Sequence, residues 1–122
     1  MKITMEQCIS ALAGFNKLAE AQLPFKQTFI VAKNIKELEK TVVPFEESRN
    51  KYIKKLQATS YKDEKENVVV PDEAADKFKE DVLALLNQAV EVNISTISLS
   101  ESEFPEVKAK DIKGCVEFLK ID

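Results

Sequence analysis

Histidine and tryptophan are absent from this 122-residue chain, glycine and cysteine occur twice each, proline four times, and arginine once, at position 49. Without histidine the chain lacks the commonest general base, the commonest metal ligand and the usual partner of a nucleophilic Ser or Cys. Two glycines cannot form a Gly-rich phosphate loop of the usual kind. Such scarcity of Gly and Pro also argues against a many-turned all-β fold. Ser/Lys or carboxylate-only chemistry remains conceivable, but no spacing recommends it, so a protein without catalytic residues, metal or cofactor is expected.

No apolar run approaches the roughly 18 residues that span a bilayer. The opening "MKITMEQCIS" lacks the apolar stretch of a secretory signal. A cytoplasmic location away from membranes is therefore expected. Cys8 and Cys115 lie in different segments, without the close partners of a zinc knuckle or a CxxC pair, and should remain free, buried thiols. The net charge of −3 disfavours duplex DNA as a partner.

What the chain does have is 44% hydrophobic and 32% charged residues. That is the balance of one globular domain, expected over residues 1–122. Thr4 with Gln7 reads as the capping box of a first helix, and Ile3 with Cys8 as its hydrophobic staple. Met5, Cys8, Leu12, Phe15 and Ala19 set its apolar stripe, widened by Ile9 and Leu18, and Pro24 ends it. A second helix should run from near Pro24 to about Gln57. Its seam, Ile35, Leu38, Val42, Phe45, Arg49, Tyr52 and Leu56, alternates spacings of three and four over three heptads. Pro44 interrupts the backbone pattern, so a kink or division near Val43 is expected.

The polar stretch from 58 to 71 reads as a long connection with a small strand at Asn67 to Val70. A third helix opens at "PDEAADKF", with Ala75, Phe78, Val82, Leu85, Ala89 and Val92 on one face. The second and third helices should form an antiparallel αα-hairpin with the first against its base. "VEVNISTISLS" switches to a period of two, a strand bulged near Ser95 and Thr96, pairing with "MKIT" or the "VVV" run. A short C-terminal helix should turn Ile112, Cys115, Val116 and Leu119 to one face. The fold class expected is mainly α with a minor β element.

Charge is unevenly spread. Residues 1–66 carry twelve basic and nine acidic side chains, and residues 67–122 carry six and twelve. Arg49 on a seam reads in three ways: a buried ion pair with Asp76, Glu80 or Glu73 that sets register, an interface residue of an oligomer, or a fork that reads an anion. Lys51, Lys54, Lys55 and Lys62, interleaved with Tyr52 and Tyr61, add the cations and rings that a nucleotide or a single strand would need. The same lysines also suit a plain solvated helix end. Glu80 and Asp81 diverge by about 100° around their helix and make a poor metal clamp.

The segments "AKNIKELEK", "EESRNKYIKK", "DE" before the valine run, and "LLNQAVEVNISTISLS" resemble, over nearly the whole chain, a domain-of-unknown-function family of small proteins from tailed phages and prophages. Pro44 departs from the uninterrupted second helix expected of that family. The resemblance implies a phage-encoded accessory protein acting in the cytoplasm of the infected cell, and it supplies no catalytic residue. Two roles follow as expectations. One is a self-associating binding protein that engages a host protein or a nucleotide-type ligand, as antagonists of host defence do. The other is a head or tail assembly protein.

Overall fold

A computed structural model describes residues 1–58, 61–62, 68–69 and 72–121. The chain is mainly helical with a small β component. In order, it forms β1 (Lys2–Thr4), α1 (Met5–Ala19), α2 (Phe25–Ala58), β2 (Tyr61–Lys62), β3 (Val68–Val69), α3 (Asp72–Leu86), β4 (Ala89–Glu91), β5 (Ile97–Leu99), α4 (Ala109–Ile112) and β6 (Leu119–Ile121). Two 3₁₀ turns, Glu101–Glu103 and Lys113–Phe118, flank α4.

The start of α1 follows the expected capping box. The Thr4 hydroxyl accepts from the Gln7 amide at 3.1 Å, and the Gln7 side chain accepts from the Thr4 amide at 2.8 Å. Two otherwise orphan donors are thereby satisfied. The face α1 buries is Cys8, Ala11, Gly14, Phe15 and Leu18, rotated from the expected stripe: Ala19 is exposed and Met5 and Leu12 are half-buried. The rotation follows the smallest residues, which let a second backbone approach. A Cβ on Gly14 would lie 2.8 Å from the Cys115 amide nitrogen, and one on Gly114 would collide with the Ser10 backbone. Both glycines of the chain thus serve one contact, α1 against the C-terminal 3₁₀ turn.

That turn corrects the sequence reading of the C-terminus. Ile112, Cys115 and Phe118 are buried at spacings of three, the period of a 3₁₀ helix, whereas Val116 is exposed and Leu119 belongs to a strand. Phe118 packs on Phe15 with ring centroids 6.1 Å apart.

α2 continues unbroken through Pro44, so the expected division near Val43 does not occur. Pro44 lies on an exposed face, and the backbone acceptor it deprives of a partner belongs to Lys40, itself an exposed residue. The first half of α2 contributes Val31, Leu38 and Val42 to the core and packs mainly against α1.

β4 pairs antiparallel with β1, one of the two partners expected, and β5 pairs in parallel with β6. The bulged strand is instead two strands joined by an irregular segment, 92–96, whose Val92 and Ile94 are buried with Ile97 and Leu99 of β5. α3 ends at Leu86, so Ala89 and Val92 leave the helical stripe assigned to them. β3, within the expected Asn67 to Val70, pairs with β2; Asn67 and Val70 themselves lie outside the described residues.

Candidate functional site

Beyond Phe45 the chain builds an arm, since no described residue of α3 or of α2 past Phe45 joins the main core cluster. Tyr52, six residues before the end of α2, stacks on Phe78, six residues after the start of α3, at 5.2 Å and 12°. The two helices therefore run antiparallel, the hairpin expected of their seams. On α2 the seam is Phe45, Arg49 and Tyr52; on α3 it is Phe78, Val82 and Leu85.

Between them lies a cleft of about 180 Å³ lined by Phe45, Ser48, Arg49, Tyr52, Phe78, Asp81, Val82 and Leu85. Its lining is mainly aromatic and aliphatic with one cation and one carboxylate, the composition of a small site for an apolar group with a charged neighbour. It is not sealed, as Tyr52 and Leu85 are 41% and 46% exposed.

Arg49 is half-buried, with its guanidinium carbon 5.8 Å from the Phe45 ring centroid. That distance is within the range of a cation–π contact, worth roughly 0.5–1 kcal/mol at such sites. Among the described residues Arg49 makes no ion pair, so the register-setting bridge to Glu73, Asp76 or Glu80 is not formed. The reason is angular. At about 100° per residue, Asp76 and Glu80, two positions either side of Phe78, stand on the outer face of α3, and all three acids are exposed. The acid that does reach the cleft, Asp81, is held by Lys77 at 3.2 Å. The two are neighbours across one helical turn. Hydrogen bonding to Asp81 keeps the Lys77 ammonium protonated above its usual range.

The other basic candidates are dispersed. Lys51 and Lys55 precede the seam residues Tyr52 and Leu56, which puts them on the Ser48 and Asp81 side of the arm; Lys54 lies on the back of α2, and all three are exposed. The side chains of Tyr61 and Lys62 lie outside the described residues, although their backbone forms β2. The structure therefore joins Arg49 and Tyr52 in one cleft, while Lys51, Lys54 and Lys55 are not among its lining residues. Phe45, Phe78, Val82 and Leu85 were read from the sequence as packing residues only. Phe45 is buried, but Phe78 and Val82 are half-buried and Leu85 is exposed; that exposure is what makes them site residues, and periodicity reports a face without reporting whether anything covers it.

Compared with protein-family models, with curated proteins and with solved structures, the chain matches none.

Proposed function

We propose that this protein is a non-enzymatic accessory protein of tailed phages that works by binding a host protein through the cleft of the α2/α3 arm. The observation that carries the reading is Arg49, a half-buried guanidinium without an ion pair among the described residues, set in an apolar cleft whose single carboxylate is already engaged. A protein segment offering an apolar side chain beside a carboxylate satisfies both features, because guanidinium binds carboxylate in a planar two-pronged geometry.

The geometry favours this over a nucleotide ligand. Tyr52 and Phe78 spend one face each on the other, which leaves no slot between them for a base. Lys54, one of the cations a phosphate would require, points away from the cleft. The absence of histidine from the whole chain supports a binding role over a catalytic one.

The test is a photo-crosslinking amino acid at Leu85, followed by reconstitution of the trapped host protein with the purified chain. The expected result is saturable binding weakened about tenfold or more by Arg49→Ala, and unchanged by Lys17→Ala on α1. Recovery of the protein in purified virions would replace this reading with the assembly role. Thermal stabilisation by a nucleotide, lost on Arg49→Ala and Lys54→Ala, would replace it with a nucleotide-binding one.

A further inference from the structure

Resting on the host-protein reading of the cleft, we propose that what enters it is an amphipathic helix of the partner, with two large apolar residues seven apart and a carboxylate side chain between them. The register of the arm carries this. Tyr52 stacks on Phe78 and is level with it, and two antiparallel helices climb by the same rise per residue. Three residues along, Arg49 of α2 comes level with Asp81 of α3; seven residues along, Phe45 comes level with Leu85. The cleft is thus a groove of three tiers, aromatic at Tyr52 and Phe78, charged at Arg49 and Asp81, apolar at Phe45 and Leu85. The outer tiers are about 10 Å apart, close to two helical turns.

The middle tier asks for negative charge. Asp81 is already held by Lys77 at 3.2 Å, whereas Arg49 makes no ion pair among the described residues, so the tier presents one unmatched cation. The outer tiers ask for apolar groups, since Tyr52 and Leu85 stand 41% and 46% exposed there. Residues three or four apart, and seven apart, share one face of a helix. A helix whose face reads apolar, acid, apolar therefore meets all three tiers, whichever way it is inserted.

Backbone chemistry selects a helix over an extended segment. Both walls are helices, whose backbone groups are bonded internally, and their lining side chains carry polar groups only at Ser48, Arg49, Tyr52 and Asp81. A strand laid there finds no edge to pair with, and its backbone loses water as it is covered. A helix arrives with its backbone already satisfied. It also completes the two-helix arm as a three-helix bundle. The adjoining cavity among Arg49, Phe78, Lys79, Val82 and Leu83 draws only Arg49 from α2, so it is no groove between the helices and does not seat one.

The experiment is selection from a displayed library of random peptides, about 16 residues long so that four helical turns fit, on the purified chain. Enriched peptides should share two large apolar residues seven apart, with Asp or Glu three or four after the first, and should gain helical circular dichroism on binding. A proline placed between the two anchors should abolish binding. Arg49→Ala in the protein, and Asn or Gln in place of the peptide acid, should each weaken binding about tenfold or more, with no further loss when the two are combined. Leu85→Ala should also weaken it, while Leu83→Ala and Lys17→Ala should leave it unchanged. Binders that need Arg49 but tolerate the proline overturn the proposal and leave the host-protein reading standing. A loss on Leu83→Ala equal to that on Leu85→Ala overturns it too, by placing the peptide in the adjoining cavity. Binders indifferent to Arg49, or no enriched peptide at all, also overturn it, and the host-protein reading is then decided by the crosslinking at Leu85 alone.

Discussion

Asn34 on α2 and Ser95 in the 92–96 segment exchange two hydrogen bonds across 61 residues of chain. The Asn34 amide group donates to the Ser95 carbonyl at 2.8 Å, and its carbonyl oxygen accepts from the Ser95 amide at 2.9 Å. Asn34 is fully buried, the single buried polar residue of the described core. A side-chain amide is the natural partner for a backbone that belongs to no strand, since it offers donor and acceptor together. The pair fixes where the chain turns from β4 to β5, and so places Val92, Ile94, Ile97 and Leu99 over α2.

Replacing Asn34 by Ala removes both bonds, leaves the Ser95 backbone groups short of partners and opens a small void. The expected loss is about 2–4 kcal/mol, read as a lower denaturant midpoint with an unchanged slope. Asn34→Asp should be at least as damaging, because an ionised carboxylate accepts from the Ser95 amide but repels its carbonyl. A midpoint within error of the wild type for either variant contradicts the role assigned to the pair.

The two glycines give a comparison with a fixed order. At Gly14, alanine gains about 1 kcal/mol of helix propensity. The same alanine meets the Cys115 backbone nitrogen at 2.8 Å, a contact that a small shift of the C-terminal turn partly relieves. At Gly114 the new Cβ runs into the Ser10 backbone, inside a helix that cannot yield. Gly114→Ala should therefore cost more than Gly14→Ala, about 3 kcal/mol or above against about 1–2 kcal/mol. Thermal unfolding of the two variants decides it, and a reversed order would mean that α1 and the C-terminal turn do not meet as described.

The parts of the fold that were legible in the sequence are those set by local chemistry. The Thr4 and Gln7 cap, the α2 seam through Phe45, Arg49 and Tyr52, and the inward period of Val92, Ile94, Ile97 and Leu99 follow from side chains and spacing alone. The illegible parts depend on what packs where. Ala11 and Gly14 carry little hydrophobic signal, so the true buried face of α1 emerges only once Gly114 arrives against it. Pro44 is tolerated because its face is wet, which a sequence does not state. The same limit held at the site: Arg49 was recognisable as a seam cation, but its lack of an ion pair among the described residues depends on the rotation of α3, which turns Asp76 and Glu80 outward.

Cys8 and Cys115 are buried free thiols, and burial raises both above the usual thiol range, Cys115 to about 11. The Cys115 thiol also donates to the Ile112 carbonyl at 3.3 Å. Neutral, enclosed thiols are poor nucleophiles. The folded protein at neutral pH should react with a disulfide reagent only as it unfolds, and both groups should react at once in denaturant. Rapid labelling of one thiol in the folded state would show that its side of the core opens readily.

Acid should destabilise the turn that follows β5. The Glu103 carboxylate accepts from the Ser100 amide at 3.0 Å and from its hydroxyl at 2.9 Å, and these bonds, the backbone one first, hold it below the usual carboxylate range. A group depressed in the folded state stabilises it fully above its unfolded value, and that contribution is lost as pH falls through the folded one. Glu103→Gln, neutral at every pH, should melt slightly below the wild type at pH 7 and show a shallower decline through the carboxylate range. The Met1 ammonium holds Glu91 the same way at 2.6 Å, so Glu91→Gln should flatten the same limb. Parallel melting curves for wild type and Glu103→Gln would mean the cap adds nothing.

Phe78→Ala separates the arm from the core. Phe78 is half-buried and stacks on Tyr52, but it is no member of the main core cluster, so its loss should act locally. A partly buried aromatic truncated to a methyl group is expected to cost about 1–2 kcal/mol in the free energy of opening, a rise in amide exchange of roughly five- to thirtyfold. That rise should be confined to α3 and to α2 beyond Phe45. Amides around Val31, Leu38 and Phe15 should keep their wild-type protection. Equal acceleration throughout would make arm and core one cooperative unit, and Arg49 would then matter for the stability of the whole chain as well as for the cleft.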